Sequence, residues 1–280
     1  MKQHLKLSAI LAFAGLISAT CLAGVCSADV SARAANTLKY AYSPNRMFEK
    51  IAAGKPSLGA YIGSTDPQLC EQAGFAGLDY VWIDMEHRPM TVHDLLNLQM
   101  ALEGTGCASL VRVRGEDFSH VKPILDIGID GVIFPQIAGY DAAVKAVEAC
   151  RYPPLGKRGV CVDRQCGYGR LGLKDYIARS ATWPLVIIEL EDFEALKDLE
   201  RILTLKEVDG IMVGPCDLAF SMGGIAKLGT DEVTALVDEA AEKTRRAGKL
   251  FYSIGGGFER HLARNNAFYT VDGFDAYSWR

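Results

Sequence analysis

Three short apolar runs end in residues that can do chemistry. Asp84-Met85-Glu86-His87 closes one run, Glu189-Leu190-Glu191 a second and Gly214-Pro215-Cys216-Asp217 a third, while Arg112 and Arg114 stand in a fourth. Charges at the ends of apolar segments are costly to bury unless they are paired or bound to metal. Of the five histidines, His4 lies near the N-terminus, and His93, His120 and His261 fall in helix-patterned segments, where a solvated or capping role is expected. His87 alone ends an apolar run and reads as an acid/base group, with a structural histidine as the alternative. Glu191 and Asp217 could share one hard cation such as Mg²⁺ or Mn²⁺, or each could pair with an arginine. No lysine ends a run, which disfavours Schiff-base chemistry.

The runs themselves are short and rich in β-branched and aromatic residues. They cover 58–63, 80–85, 109–114, 131–137, 184–191, 210–215, 249–255 and 268–273. Continuous apolar strands point to a parallel sheet buried on both faces. Helix patterns lie between them. Over 231–247, Val233, Leu236, Val237, Ala240 and Ala241 draw one face, Arg245 and Arg246 fall in the last turn, and Gly248 sits at the C′ position. Leu196, Leu199 and Leu203 suggest a second helix over 193–203. Eight strands alternating with helices in about 250 residues predict an α/β fold, a single (β/α)8 barrel, with catalysis at the C-terminal strand ends. An open doubly wound sheet is the runner-up, but Gly63-Ser64-Thr65-Asp66 is not a dinucleotide turn. Gly255-Gly256-Gly257 lies where barrels often bind phosphate, and is equally a plain turn. The long connection 151–183 is expected to be a lid or binding loop.

Composition bounds the partners. The chain has 280 residues, 49% hydrophobic and 23% charged, with a formal net charge of −4. That excludes a disordered chain and argues against nucleic-acid binding. Residues 7–28 carry no charge and follow Lys2 and Lys6, the pattern of a secretory signal ending at Ala28. The expected mature chain, 29–280, is then exported and has no stable membrane anchor, an uncleaved anchor helix being the alternative. Its charge would be −6, since the leader carries two lysines and no acid. Its six cysteines could pair, or be small buried hydrophobes.

The motifs AGLDYVWIDMEHRP (76–89), VRVRGEDFSHVKPILDIGIDG (111–131), RYPPLGKRG (151–159) and VDGIMVGPCDLAFSMG (208–223) resemble the HpcH/HpaI aldolases. The likeness spans roughly 37–275. It implies a barrel of the phosphoenolpyruvate/pyruvate-binding type and a divalent cation, Mg²⁺, Mn²⁺ or Co²⁺. The reaction implied is reversible cleavage of a 4-hydroxy-2-oxo acid to pyruvate and an aldehyde. His87 matches the catalytic base, Asp126 the aspartate that raises its basicity, and Arg112 the arginine that stabilises the enolate. Glu191 and Asp217 match the metal ligands, Cys216 a position that holds the substrate carboxylate, and Asp84 and Glu86 support the site. Glu189 stands where many relatives have a substrate-binding glutamine. A homo-oligomer is expected, although relatives usually continue into a closing helix beyond the position of Arg280. Two other readings stay open: a lyase acting on a CoA thioester, and a non-catalytic barrel that binds oxo acids.

Overall fold

The computed structural model describes residues 45–115, 117–254, 264 and 267–271. These form strands β1 (Ser57–Ile62), β2 (Tyr80–Asp84), β3 (Ala108–Arg112), β4 (Gly131–Phe134), β5 (Leu185–Leu190), β6 (Gly210–Val213), β7 (Leu250–Ser253) and β8 (Phe268–Val271). The helices are α1 (Arg46–Ala52), α2 (Pro67–Phe75), α3 (Val92–Leu102), α4 (Val121–Asp126), α5 (Tyr140–Cys150) and α6 (Leu173–Arg179). They continue with α7 (Phe193–Leu196), α8 (Leu199–Leu203), α9 (Pro215–Ser221) and α10 (Asp231–Arg246). The expected leader, the triple glycine and His261 lie outside the described residues. Among the described residues no helix is long and apolar enough to cross a membrane.

The strands form one sheet in the order β7-β6-β5-β4-β3-β2-β1-β8, and every described pairing is parallel. Ala267 N–H donates to Phe251 O at 2.9 Å, which ties the entry to β8 back to β7 and nearly closes the ring. This is the (β/α)8 architecture, and all eight candidate strands form within a few residues of their expected limits. The open sheet is excluded by the β1–β8 pairing. The helix expected over 193–203 is two short ones, α7 and α8, broken at Lys197-Asp198. Asp192 caps the first through Glu194 and Ala195 N–H.

Alternation along the strands separates two cores. Outward residues such as Ile83, Val111, Val132, Ile188 and Val213 pack under the helices, against residues such as Leu95, Leu98 and Ile124. Inward residues such as Trp82, Leu110, Ile133, Ile187, Met212 and Tyr252 fill the barrel. The inner core is aromatic, with Trp82 and Tyr252 rings edge to face at 5.9 Å and Tyr80 and Phe268 at 5.4 Å. Gly59 on β1 makes room for Tyr80, since a Cβ at 59 would sit 2.5 Å from the ring atoms of that fully buried side chain. Gly59→Ala is therefore expected to destabilise the fold by about 1–3 kcal/mol through overpacking, read as a lower urea midpoint at unchanged m.

The segment 151–183 follows helix α5 rather than a strand, so it lies at the N-terminal end of the barrel. Arg151 Nη1 donates to Pro184 O at 2.9 Å and Arg164 Nη1 to Ile127 O at 2.7 Å. Arg164 also pairs with Glu103 at 2.6 Å. Those partners precede strands β5, β4 and β3. Tyr152, Tyr176 and Trp183 stack edge to face beneath the inner core. The segment thus packs against the N-terminal end of its own barrel, with its own helix α6. All six described cysteines are free, and only Cys161 and Cys216 are exposed.

Candidate active site

Inward parity carries charge to the C-terminal end of the barrel. On β2 the inward series is Tyr80, Trp82, Asp84; on β3 it is Ala108, Leu110, Arg112; on β5 it is Leu185, Ile187, Glu189, and Glu191 follows in step. Asp84 and Arg112 are register partners. The same alternation that fills the barrel with hydrophobes therefore ends in a ring of ionisable groups.

Arg112 is the centre of that ring. Its Nε and Nη2 donate to Asp84 Oδ1 and Oδ2 at 3.0 and 2.9 Å, a bidentate pair, and Nη1 donates to Glu189 Oε1 at 3.4 Å. Glu86 Oε2 lies 3.3 Å from Arg112 Nε, as an ion pair without hydrogen-bond geometry. The guanidinium stacks 4.8 Å from the Trp82 ring. A guanidinium has five N–H donors, and three are engaged by these carboxylates, so two remain for a substrate oxygen.

Asp84 joins Arg112 to the loop that carries His87. Its Oδ1 accepts from Glu86 and His87 N–H at 3.1 and 3.4 Å, and its Oδ2 accepts from Tyr61 OH at 2.9 Å. Arg88 Nε donates to the same Tyr61 oxygen at 2.9 Å. Arg114 staples the loop from below, through Met85 O at 3.0 Å and Met90 O at 2.6 Å. The His87 side chain is 60% exposed at the mouth, with Nε2 3.6 Å from Glu86 Oε2.

Glu191 completes the far side. Its Oε1 accepts from Gln136 N–H at 2.8 Å, and Gln136 Nε2 donates to Glu86 Oε1 at 3.1 Å. Gly214 leaves the space beside it open: a Cβ there would lie 2.8 Å from Glu191 Oε2 and 3.4 Å from Glu189 Oε1. Asp217 sits exposed in the first turn of α9, close enough to act electrostatically on both Glu86 and Glu191. Cys216, one residue before it, is also exposed.

Burial and mutual repulsion govern these carboxyls. Burial would raise Asp84, but its bonds from Arg112 and Tyr61 outweigh that and hold it below the ordinary aspartate range. Glu86 is pushed up, by burial and by Asp84 and Asp217, against the pull of Arg112. Glu191 rises to about 7, through burial opposed by the Gln136 N–H and reinforced by Glu86 and Asp217. Glu189, fully buried, is pushed well above the glutamate range by burial and by Glu191, with Arg112 opposing.

The expected site residues therefore converge, with one exception. Asp126 ends helix α4, which runs back from the C-terminal end of β3, and its carboxylate takes Arg158 Nη2 at 2.7 Å. Among the described residues no hydrogen bond or ion pair joins it to His87, since a βα helix returns its last residue toward the opposite end of the barrel. Gln136 and Tyr61 were not anticipated from the sequence. Gln136 follows strand β4 at the same end as the acids, a position that could have marked it.

The donor set fits a divalent cation. Glu189 Oε2 is buried without a hydrogen-bond partner among the described residues, Arg112 is paired with three carboxylates, and the space a Cβ would fill at Gly214 lies beside Glu191 Oε2 and Glu189 Oε1. Hard oxygen donors suit Mg²⁺ or Mn²⁺. Among the described residues no three His, Cys, Asp or Glu side chains converge into a complete cage. The fit is thus to an ion that shares its coordination between protein and other ligands.

A family model described as HpcH/HpaI aldolase/citrate lyase matches residues 57–266. A 4-hydroxy-2-oxo-heptane-1,7-dioate aldolase of Shigella sonnei is 33% identical over 201 residues, 71% of this chain and 76% of that protein. A 2-keto-3-deoxy-L-rhamnonate aldolase of Escherichia coli is 32% identical over 207 residues, 73% of this chain and 77% of that protein. The crystal structure of an HpcH/HpaI aldolase/citrate lyase family protein from Burkholderia cenocepacia superposes with a TM-score of 0.74 at 27% identity, covering 81% of this chain and 90% of that one. With its barrel, its ring of acids around Arg112 and this similarity over most of its length, the chain belongs to the HpcH/HpaI aldolase/citrate lyase family.

Proposed function

We propose that the chain is a class II pyruvate aldolase, an aldehyde-lyase that reversibly cleaves a 4-hydroxy-2-oxo acid to pyruvate and an aldehyde. The observation that carries this reading is the ring of acids around Arg112 at the C-terminal strand ends, with Glu191 and Glu189 beside Gly214 and Asp217 close enough to act on Glu191. Glu191 and Asp217 would hold the divalent ion, which when bound polarises the 2-oxo carbonyl as a Lewis acid.

The chain's own groups then do the rest. His87, exposed at the mouth, takes the proton of the 4-hydroxyl. The C3–C4 bond breaks, the aldehyde leaves, and its electron pair passes toward C2 to form pyruvate enolate. Arg112 directs its two remaining N–H donors at the developing oxyanion, and its bonds to Asp84 and Glu189 keep it from reorganising. In the reverse direction the protonated His87 returns its proton to the alkoxide. Glu189, whose carboxyl burial pushes above the ordinary glutamate range, sits beside that centre against Arg112.

Exchange of the pyruvate methyl protons with deuterated water tests this without knowledge of the aldehyde. Addition of Mg²⁺, Mn²⁺ or Co²⁺ should switch exchange on, and chelation should switch it off. His87→Ala and Asp217→Ala should each reduce it by about 10²–10⁴-fold. Absence of exchange and of oxaloacetate decarboxylation with all three ions would sink the reading. Pyruvate binding without exchange would instead favour a non-catalytic barrel.

A further inference from the structure

Gln136 stands with its backbone in the left-handed region, at φ 55°. L side chains other than asparagine and aspartate rarely adopt it, and such strain persists where the surroundings over-determine it. Here they do. The residue follows β4 directly after Phe134-Pro135, and it is tied at both ends of its own structure. Its backbone N–H is committed to Glu191 Oε1 and its side-chain amide to Glu86 Oε1. The amide has the donor end toward a carboxylate, so its orientation is fixed by its partner.

We infer that Gln136 is a positioning residue, whose left-handed backbone holds the Glu191 carboxylate in the orientation a cation would use; this rests on the metal-dependent reading above. With Oε1 held by the Gln136 N–H, Oε2 is the oxygen turned toward Gly214. The amide bond to Glu86 is what holds Gln136 in its disfavoured conformation. Glu86 in turn is held by its ion pair to Arg112, so the backbone of β4 is braced against the acid ring and Glu191 cannot turn. The conformation of residue 136, and not its side chain, is the part that acts on Glu191.

The two parts separate by substitution. Gln136→Gly loses the amide but adopts the left-handed conformation freely, while Gln136→Val loses both the amide and the conformation. Mn²⁺ binding to the full-length protein, measured by titration calorimetry, is the readout. The glycine variant should bind within about threefold of the parent, and the valine variant roughly tenfold more weakly or worse. Far-UV circular dichroism checks that the valine chain is folded, and Gln136→Thr, the smaller β-branched replacement, serves if it is not. Equal Mn²⁺ affinity in all variants overturns the inference, as does a glycine variant as weak as the valine one. A parent protein that binds no Mn²⁺ overturns the metal reading itself, and the inference falls with it.

Discussion

Arg112→Leu is expected to lower the stability of the fold by about 3–5 kcal/mol and to reduce proton exchange by about 10²–10³-fold. Leucine fills much of the volume over Trp82, so the loss is electrostatic rather than a cavity. What remains is Asp84 with no bidentate partner at 0% exposure, and Glu86 and Glu189 with no cation beside them. Breaking one side of a buried ion pair leaves an uncompensated charge, and here one side chain answers three. The carboxyls have an escape, because they can take up protons. The destabilisation should therefore be smaller at pH 5 than at pH 8, since a buried carboxyl that has lost its cation takes up a proton more readily as pH falls. Urea midpoints at pH 5 and pH 8 measure both effects. Equal midpoints for parent and variant at pH 8 would show that the ring does not depend on Arg112. Arg112→Lys separates charge from geometry, since an ammonium restores the positive charge but cannot grip Asp84 in two places. It should recover more of the stability than of the exchange rate.

The positions of Asp84, Arg112, Glu189 and Glu191 were legible because strand parity is a strict rule. Once the apolar runs are read as parallel strands of a barrel, every second residue points inward, and a charge near a run's end must enter the site. His87 was legible for the same reason, as the residue just past such an end. Gln136 was not, because nothing about an uncharged side chain after Phe134-Pro135 announces a left-handed backbone; that conformation is set by Glu86 and Glu191, which come from other strands. Tyr61 looks like a core aromatic, and its hydroxyl acquires meaning only when Asp84 and Arg88 arrive from β2 and the loop after it. Asp126, paired with Arg158, and the segment 151–183 share one physical reason for their place in the fold. Chain direction alternates in a βα unit, so residues at the end of α4 and after α5 are delivered to the N-terminal end. The order of elements contained that information, while motif likeness and loop length pointed the other way.

The acid ring is also expected to make the protein's stability depend on pH and, on the proposed metal assignment, on a divalent ion. Glu191 is raised from an ordinary 4.5 to about 7 in the fold, so between those limits the native state holds a proton that the unfolded chain has released. Stability must then fall as pH rises through that window, by about 3 kcal/mol for this group alone. Its stabilising share is whole below pH 4.5 and gone above about 7. Asp130 behaves in the same direction, raised to about 7 by burial against the bonds from Ser109 and Asn45. It lies just before β4, at the far end of the barrel, where no cation is expected. On the proposed assignment a divalent ion would bind the ionised form of Glu191 and compete with the proton, so it should restore stability most strongly above pH 7 and hardly at all near pH 5. Urea titrations from pH 5 to 8, with a chelator and with excess Mn²⁺, should show two curves that separate as pH rises. Glu191→Gln should merge them while leaving the slope due to Asp130, and Asp130→Asn should flatten the chelated curve without merging the pair. Curves that run parallel across the whole range would mean that the ion, if it binds, does not bind at Glu191.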